Sequence, residues 1–575
     1  YGNQLGRVIW YANGSSFGTS QSSYVLQAGY NPSVYGGQQY ALADVNGDGN
    51  QDLVWTWSYS NQLGRVTWHA SPGAPEVALK VVNPNGGTVA ITYAPSTRWA
   101  NTNNPPTHQT VTSVTQLDSR GNSSTVSYSY AGGLFDYAER RFMGFRYAKT
   151  TLPCIAGERA CPYQETWYKQ DYGSISKIES SKSYGGDGKL VSAAINEYTT
   201  NGATVPYTSY ETGIWAYVYD STGASRRTYA SRVYGAYGNV DRETAYGDYD
   251  LAGDEKTVAY TYAPNATTYI VGKPTATAAH AGVGLTGELL AKSAVIYDAM
   301  GRPVSSSAWD DTNQRWLTTT TTYDAWGNLV RECDAMNACV NHTIDSTYHL
   351  FTIATANPLG HTGTATFDPV CGVKTSATDA NGQTVTMQYD ALCRLVRTNL
   401  PGGGYELRSY NNCGNPTAQY TEVQTPAMDG SGGTVWSRQY LDGLGRAYRT
   451  VRQGTAAGMD VVTDTIFNAR GAVEKSTIPY FQMETPLWVS QTYDQQDRVV
   501  QVNNPDGTTK RKTYGLGWVI VTDEVGASVQ IFMDAQGRMV RHREWLAGAP
   551  QDINYEFDVR GNVVKVTDPK GNVVS

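Results

Sequence analysis

The sequence predicts an all-β protein assembled from repeated hairpins, and three observations carry that prediction. A short turn recurs, first as Tyr297-Asp298-Ala299-Met300-Gly301-Arg302 and again as Tyr323-Asp324-Ala325-Trp326-Gly327-Asn328. Tyr (42) and Gly (59) are abundant while charged residues make up only 17% of the 575 positions, a mixture that suits strands and tight turns better than helices. No stretch longer than about twelve residues shows the 3.6-residue apolar period of a helix.

The turn continues in weaker copies: Tyr389-Asp390 to Arg394, Tyr410-Asn411 to Asn415, Leu441-Asp442 to Arg446 and Phe467-Asn468 to Gly471. Further copies run from Tyr493-Asp494 to Arg498, Met533-Asp534 to Arg538 and Phe557-Asp558 to Asn562. Most neighbouring copies lie roughly 18 to 30 residues apart, the range in which repeat architectures show themselves. Asp at the first turn position bonds its side chain to backbone amides two residues on. Gly three residues later takes the positive φ that closes a type I turn followed by a bulge. The aromatic ahead of Asp ends one strand, and the alternation after Arg or Asn begins the next. Two copies carry Cys393 and Asp497 where Gly is expected. Asp tolerates the left-handed region better than Cys does, so the turn at Cys393 is expected to be the weaker.

A chain of this length exceeds one compact core and should divide into several units. Its net charge of −7 excludes the basic stripe of a nucleic-acid binder. The densest basic clusters, Arg140-Arg141, Arg226-Arg227 and Lys510-Arg511-Lys512, read as solvated strand or loop faces. No apolar run approaches the roughly 18 residues of a membrane-spanning helix. The first residue is Tyr1 and Ser575 falls inside a turn copy, so both ends read as cut from something longer.

The seven cysteines leave several pairings open. Cys154 with Cys161, and Cys333 with Cys339, would each close a small loop. Cys393 and Cys413, 20 apart, would face each other in neighbouring turns, while Cys371 competes for the same partner. One thiol is left over. A zinc site needs ligands clustered at metal spacing, and Cys339-x-x-His342 alone does not supply them. Disulfides would imply an oxidising destination.

The first 75 residues carry a duplication of their own. Asn3-Gln4-Leu5-Gly6-Arg7-Val8-Ile9-Trp10 returns 58 residues later as Asn61-Gln62-Leu63-Gly64-Arg65-Val66-Thr67-Trp68. Between them, Asp44, Asn46, Asp48 and Asp52 offer hard oxygen ligands, Asn50 adds a backbone carbonyl, and Gly47 and Gly49 permit a tight loop. That chemistry suits Ca²⁺, held structurally. Strand-like flanks and Trp55 at the twelfth position exclude an EF-hand.

These residues resemble the FG-GAP or VCBS type of β-propeller repeat, with its D-x-N-G-D-G-x-x-D calcium loop. The segment Tyr128-Ser129-Tyr130-Ala131-Gly132-Gly133-Leu134-Phe135-Asp136-Tyr137, continuing through Arg140-Arg141-Phe142-Met143-Gly144-Phe145, resembles the joining region of the B component of Tc insecticidal toxin complexes. Ahead of it, Leu117-Asp118-Ser119-Arg120-Gly121-Asn122 is itself a repeat-like turn. With the Tyr-Asp copies downstream, the order of parts resembles the Rhs/YD-repeat family and Tc toxin B-type proteins in particular. The resemblance implies three regions: propeller-like blades with the calcium loop over 1–75, a joining segment over 76–153, and a spiralling YD-repeat β-shell over 154–575. It is faint from Tyr163 to Ala294. It also implies a secreted or cell-surface shell that encapsulates a C-terminal toxic polypeptide, of the same or a separate chain, and docks a translocation channel.

Catalytic constellations are absent from the sequence. There is no G-x-S-x-G elbow, H-E-x-x-H or P-loop, and the seven His residues show no partner pattern. Asp248/Asp250 and Asp310-Asp311 lie in polar turn-like stretches, where capping outweighs acid–base work. The tryptophans Trp10, Trp55, Trp57 and Trp68, and the repeat tyrosines, read as strand-end packing in preference to a sugar platform. The expectation is a non-enzymatic shell segment. The alternatives are a teneurin-like adhesion protein, which would present an outer binding face, and a carbohydrate-active propeller enzyme, which would need a carboxylate pair of raised pKa in a cleft.

Overall fold

Each Asp-led turn reverses the chain within five residues, so successive strands pair antiparallel with their neighbours in sequence. Leu289–Tyr297 and Pro303–Asp310 are typical, in register from Ser293↔Ala308 to Tyr297↔Pro303, with a bulge at the Tyr. The computed structural model describes residues 77–103, 107–427, 432–558 and 560–575, and the backbones of five strands nearer the N-terminus. Over the described residues this pairing builds one continuous sheet, from Lys80–Val82 to Val573–Val574. Among them the helical segments are two 3₁₀ turns, Ser96–Arg98 and Pro401–Gly403. The predicted all-β class is the class observed.

The stretch in which the turn signal is faint is no exception. Leu190–Asn201 pairs with Thr208–Tyr219 from Ser192↔Val218 to Asn201↔Thr208 and continues the same sheet. Nearer the N-terminus, Gln39–Ala43, Asp52–Tyr59 and Gln62–Trp68 pair in a three-stranded antiparallel sheet. The candidate calcium loop joins the first two of these strands. Asp44, Asn46, Asp48 and Asn50 lie outside the described residues, and of Asp52 only the strand backbone is described.

Hairpin turns alternate between the two rims of a strip, and the strip winds so that one rim of an early circuit meets the opposite rim of a later one. Sequence separations across that seam give the circuit length: 334 residues for Gln419 to Asn85, 312 for Arg470 to Glu158, and 272 for Arg560 to Glu288. From Tyr163–Tyr168 to Val461–Phe467 the circuit contains 23 strands. Barrels of about 16–18 strands already leave an aqueous channel that side chains do not fill. The burial agrees with a thin wall: among the described residues the buried hydrophobic side chains are Ala94, Met143 and Val462. Cohesion therefore comes from the backbone ladder, from half-buried cross-strand pairs and from the contacts of the turns.

Candidate functional site: the repeated turn and the seam between circuits

Asp298 shows how one turn is made. Its N–H donates to the Arg302 carbonyl at 2.9 Å, and the N–H of Gly301, at φ 77°, donates to the Asp298 carbonyl at 3.0 Å. Oδ1 accepts the amides of Met300 and Arg302, both at 2.9 Å, and Oδ2 accepts Arg302 Nε at 2.7 Å. Asp390, Asp442, Asp494 and Asp534 repeat all three side-chain bonds. Where Asn replaces Arg, at Asn122, Asn328, Asn562 and Asn572, its amide donates to the same Oδ2 at 2.6–3.0 Å.

The remaining residues of the motif tie each copy to its neighbour. The Arg guanidinium lies over the ring of a following aromatic, as with Arg302 over Tyr323 (4.8 Å), Arg394 over Tyr410 (4.2 Å), Arg446 over Phe467 (4.6 Å) and Arg498 over Tyr514 (4.1 Å). The Tyr hydroxyl reaches back to a carbonyl at the start of an earlier strand: Tyr410 to Leu395 at 3.2 Å, Tyr493 to Val473 at 2.6 Å. Aromatic, Asp, Gly and Arg thus have separate duties, of which Asp and Gly shape one turn while Arg and the aromatic join two. The repeat tyrosines pack, as expected, at the strand ends, and the side chains of Trp10, Trp55, Trp57 and Trp68 lie outside the described residues.

Cys393 and Asp497 both take the left-handed conformation, at φ 61° and 59°. The turn at Cys393 forms like the others, contrary to the weaker turn expected there. Each non-glycine has a bond that holds it. Cys393 is disulfide-bonded to Cys371 in the adjacent turn of the same rim, and Asp497 pairs with Arg470 at 2.8 Å. Disulfides also join Cys154 to Cys161 and Cys333 to Cys339. Cys371, not Cys413, partners Cys393, and Cys413 is the exposed free thiol, 3.6 Å from Arg394 Nη1.

At the seam the two circuits meet through backbone and charge. The amide of Gly87 donates to the Gly443 carbonyl at 3.0 Å, and that of Gly443 to the Asp118 carbonyl at 2.9 Å. Gln419 Nε2 donates to the Asn85 carbonyl at 2.8 Å. A Cβ on Gly87 would sit 2.1 Å from the Gly443 oxygen, and one on Gly443 would sit 2.5 Å from the Gly87 Cα. Both neighbours are backbone and cannot yield. Replacing Gly443 with Ala should therefore part the strips locally, at about the 1–3 kcal/mol typical of overpacking. Amide exchange of residues 83–87 would rise in that variant, and an unchanged rate would refute the contact.

Asp118 sits beneath this junction, almost fully buried. Burial acts to raise its pKa, but hydrogen bonds from the Asn122 side chain and the amides of Arg120 and Asn122, with Arg446 nearby, hold the carboxyl below its ordinary value. Further along, Arg470 of one circuit forks onto Glu158 of the other at 2.8 and 2.9 Å and donates to the Pro153 carbonyl at 2.9 Å. The side chains of Arg470 and Glu158 are only 6% and 11% exposed. Arg560 reaches Glu288 at 3.1 Å and the Leu289 carbonyl at 3.0 Å.

The carboxylate pairs are occupied in the wall. Asp248 meets Arg226 at 3.0 Å and Asp250 meets Arg227 at 2.7 Å, while Asp310 accepts the amide of Asn313 at 3.1 Å. Among the described residues no group of three His, Cys, Asp or Glu side chains is placed to hold a metal ion.

Comparison with known proteins places this architecture. Residues 14–171 match the family described as the insecticide toxin TcdB middle/N-terminal region, and residues 414–516 match a domain of unknown function. No curated protein sequence matches the chain. Among solved structures, TcdB2-TccC3 aligns at TM-score 0.72 and 14% identity over 92% of this chain and 39% of its own. TcdB2-TccC3-Cdc42 aligns at 0.73 and 12% identity, over 93% and 41%. The Tc holotoxin pore of Photorhabdus luminescens aligns at 0.72 and 11% identity, over 93% and 40%. The chain spans about two fifths of the length of these structures. Over residues 14–171 it is similar to the TcdB middle/N-terminal region, and the fold of its wound β wall resembles that of TcdB2-TccC3.

Proposed function

We propose that the chain is a non-enzymatic wall segment of a secreted Tc-type toxin shell, whose work is to sequester a toxic polypeptide carried by the same or a separate chain. The observation that supports this best is the wall itself: 23 strands to a circuit, circuits joined at a seam, and, among the described residues, almost no buried apolar core. Such a wall keeps two accessible faces, one of them turned inward. Three disulfides suit an oxidising destination such as a secreted or cell-surface protein. Among the described residues no helix is long and apolar enough to cross a membrane. In this reading the N-terminal region docks a translocation channel and acts as the gate.

The test is cryo-electron microscopy of the complete native protein. A closed wall around weak, disordered density is the expected result. A wall packed solid, or open along its length, would overturn containment and move attention to the outer face and adhesion.

The same proposal assigns a structural Ca²⁺ to Asp44, Asn46, Asp48, Asn50 and Asp52, whose oxygens are the hard donors this ion takes. Chelation with EDTA should lower the melting temperature of the N-terminal region, and added Ca²⁺ should restore it. In Asp48→Ala the two melting curves should coincide. A melting temperature indifferent to EDTA in the unaltered protein would refute the assignment.

A further inference from the structure

The three disulfides differ in what they touch. Cys333–Cys339 closes a turn on a rim, and Cys371–Cys393 joins two turns of the same circuit. Cys154–Cys161 closes the loop 154–161, and this loop holds the opposite circuit. Inside it, Glu158 Oε2 accepts the Ile155 amide at 2.9 Å, so the closed loop sets the direction of the carboxylate. The amides of Arg159 and Ala160 both donate to the Gly186 carbonyl at 2.9 Å and fasten the loop to its own circuit. The fork from Arg470 then crosses the seam, and Asp497 completes the charge on the far side. Beside the fork is a cleft of about 800 Å³ between the circuits, lined by the loop and by residues 490–495. At this point the circuits meet through the fork, the bond from Arg470 to the Pro153 carbonyl and the close packing of Gln495 on Gly185. Cys154 is exposed, so a soluble thiol reaches the bond.

We propose that Cys154–Cys161 is a redox latch on the seam: oxidised, it holds Glu158 against Arg470, and reduced, it lets the two circuits part there. The chemistry is thiol–disulfide exchange with a dithiol reductant. A reductant thiolate attacks one sulfur, and the S–S bond breaks with its electron pair going to the other sulfur, which takes up a proton. The second reductant thiol resolves the mixed disulfide. Two cysteine thiols and one oxidised reductant are the products. Without the cross-link the loop regains its conformational freedom, and the fork no longer meets a preset carboxylate. Arg470, nearly buried, is then held by Asp497 and the Pro153 carbonyl alone. The proposal holds whether or not the wall contains a cargo.

The test is hydrogen exchange read by mass spectrometry on the full chain, oxidised and after dithiothreitol. Reduction should raise exchange at least tenfold both in 153–162 and across the seam in 468–472 and 494–498, leaving 83–87 and 442–446 unchanged. In Cys371→Ser/Cys393→Ser the response should persist. In Cys154→Ser/Cys161→Ser the raised exchange should be present without reductant, and dithiothreitol should add nothing. Glu158→Gln, with the disulfide intact, should raise exchange at 468–472 alone. If reduction loosens 153–162 while 468–498 stays protected, the bond is a local staple and the latch is refuted. A seam that opens under reductant equally in Cys154→Ser/Cys161→Ser and in the unaltered chain refutes it too. Should that double variant not fold, the reduced native chain still decides the matter.

Discussion

Replacing Arg470 with alanine should open the seam where residues 153–162 meet 468–472. The substitution leaves Glu158, only 11% exposed, without the guanidinium that forks onto it. Breaking a buried pair from one side costs about 3–5 kcal/mol, because the surviving charge stays desolvated. For local opening that corresponds to a rise of about two to four orders of magnitude in amide exchange. The rise belongs to residues 153–162 and 468–472, and exchange is the right readout because a wall of repeats need not melt as one unit. Arg302 is the control. It bonds within its own turn, Nε to Asp298 Oδ2 at 2.7 Å, but there both side chains are partly exposed, at 32% and 22%. Arg302→Ala should cost about 0–1 kcal/mol, the range of exposed ion pairs. Equal effects from the two substitutions would mean that burial at the seam does not govern its strength.

This contrast could not have been read from the sequence, where Arg302 belongs to a motif and Arg470 occupies a variable turn position. The class of fold, the hairpin and the duties of Asp and Gly were legible because each depends on residues within six positions of one another. The seam was not, because its partners are hundreds of residues apart and Gly87, Glu158 and Asn85 carry no local sign of what they meet. The faint middle region shows a different failure. Tyr219-Asp220-Ser221-Thr222-Gly223-Ala224 and Tyr234-Gly235-Ala236-Tyr237-Gly238-Asn239 are full turns, with Gly223 and Gly238 donating to the first-position carbonyls at 3.1 and 3.0 Å. The opposite rim carries further copies led by Asp334, Asp379 and Asp523, with the same backbone bonds and no aromatic in front. From Tyr297 onward the aromatic therefore marks one rim, although Tyr219-Asp220 lies on the other. An acceptor followed three residues later by a left-handed position, Asn337, Gly382 or Gly526 in these cases, would have found both.

Acid should dismantle the wall within a narrow interval below about pH 4, because the turn carboxylates titrate together there. The Arg302 amide, opposed by partial desolvation and aided by the Arg302 side chain, holds Asp298 below its ordinary value of 3.8. The Arg394 side chain does the same for Asp390, and the amides of Asn328, Asn562 and Asn572 do so for Asp324, Asp558 and Asp568. In Asp345 the amides of Phe351, Tyr348 and Leu350 outweigh desolvation and depress the carboxyl strongly. A folded-state pKa lying below the unfolded one stabilises the fold fully above the unfolded value. That stabilisation is lost as pH falls through the folded value, so these groups contribute at pH 5 and above and fail progressively beneath 4. Each site is open to solvent and contributes little alone, but the turns are many and alike. The alkaline limit has the opposite sign. Burial, then the hydrogen bond to Glu197, pushes Tyr229 up to about 12, so its contribution is complete below pH 10 and fades above it. Melting temperature against pH should accordingly show a plateau from about 5 to 9 and a steep fall between 4 and 2.5. Asp298→Asn/Asp324→Asn/Asp390→Asn should melt lower at pH 7 and fall less steeply in acid, since fewer carboxylates remain to titrate. An acid limb of equal slope in the triple variant and the unaltered chain would place the sensitivity elsewhere than in the turns.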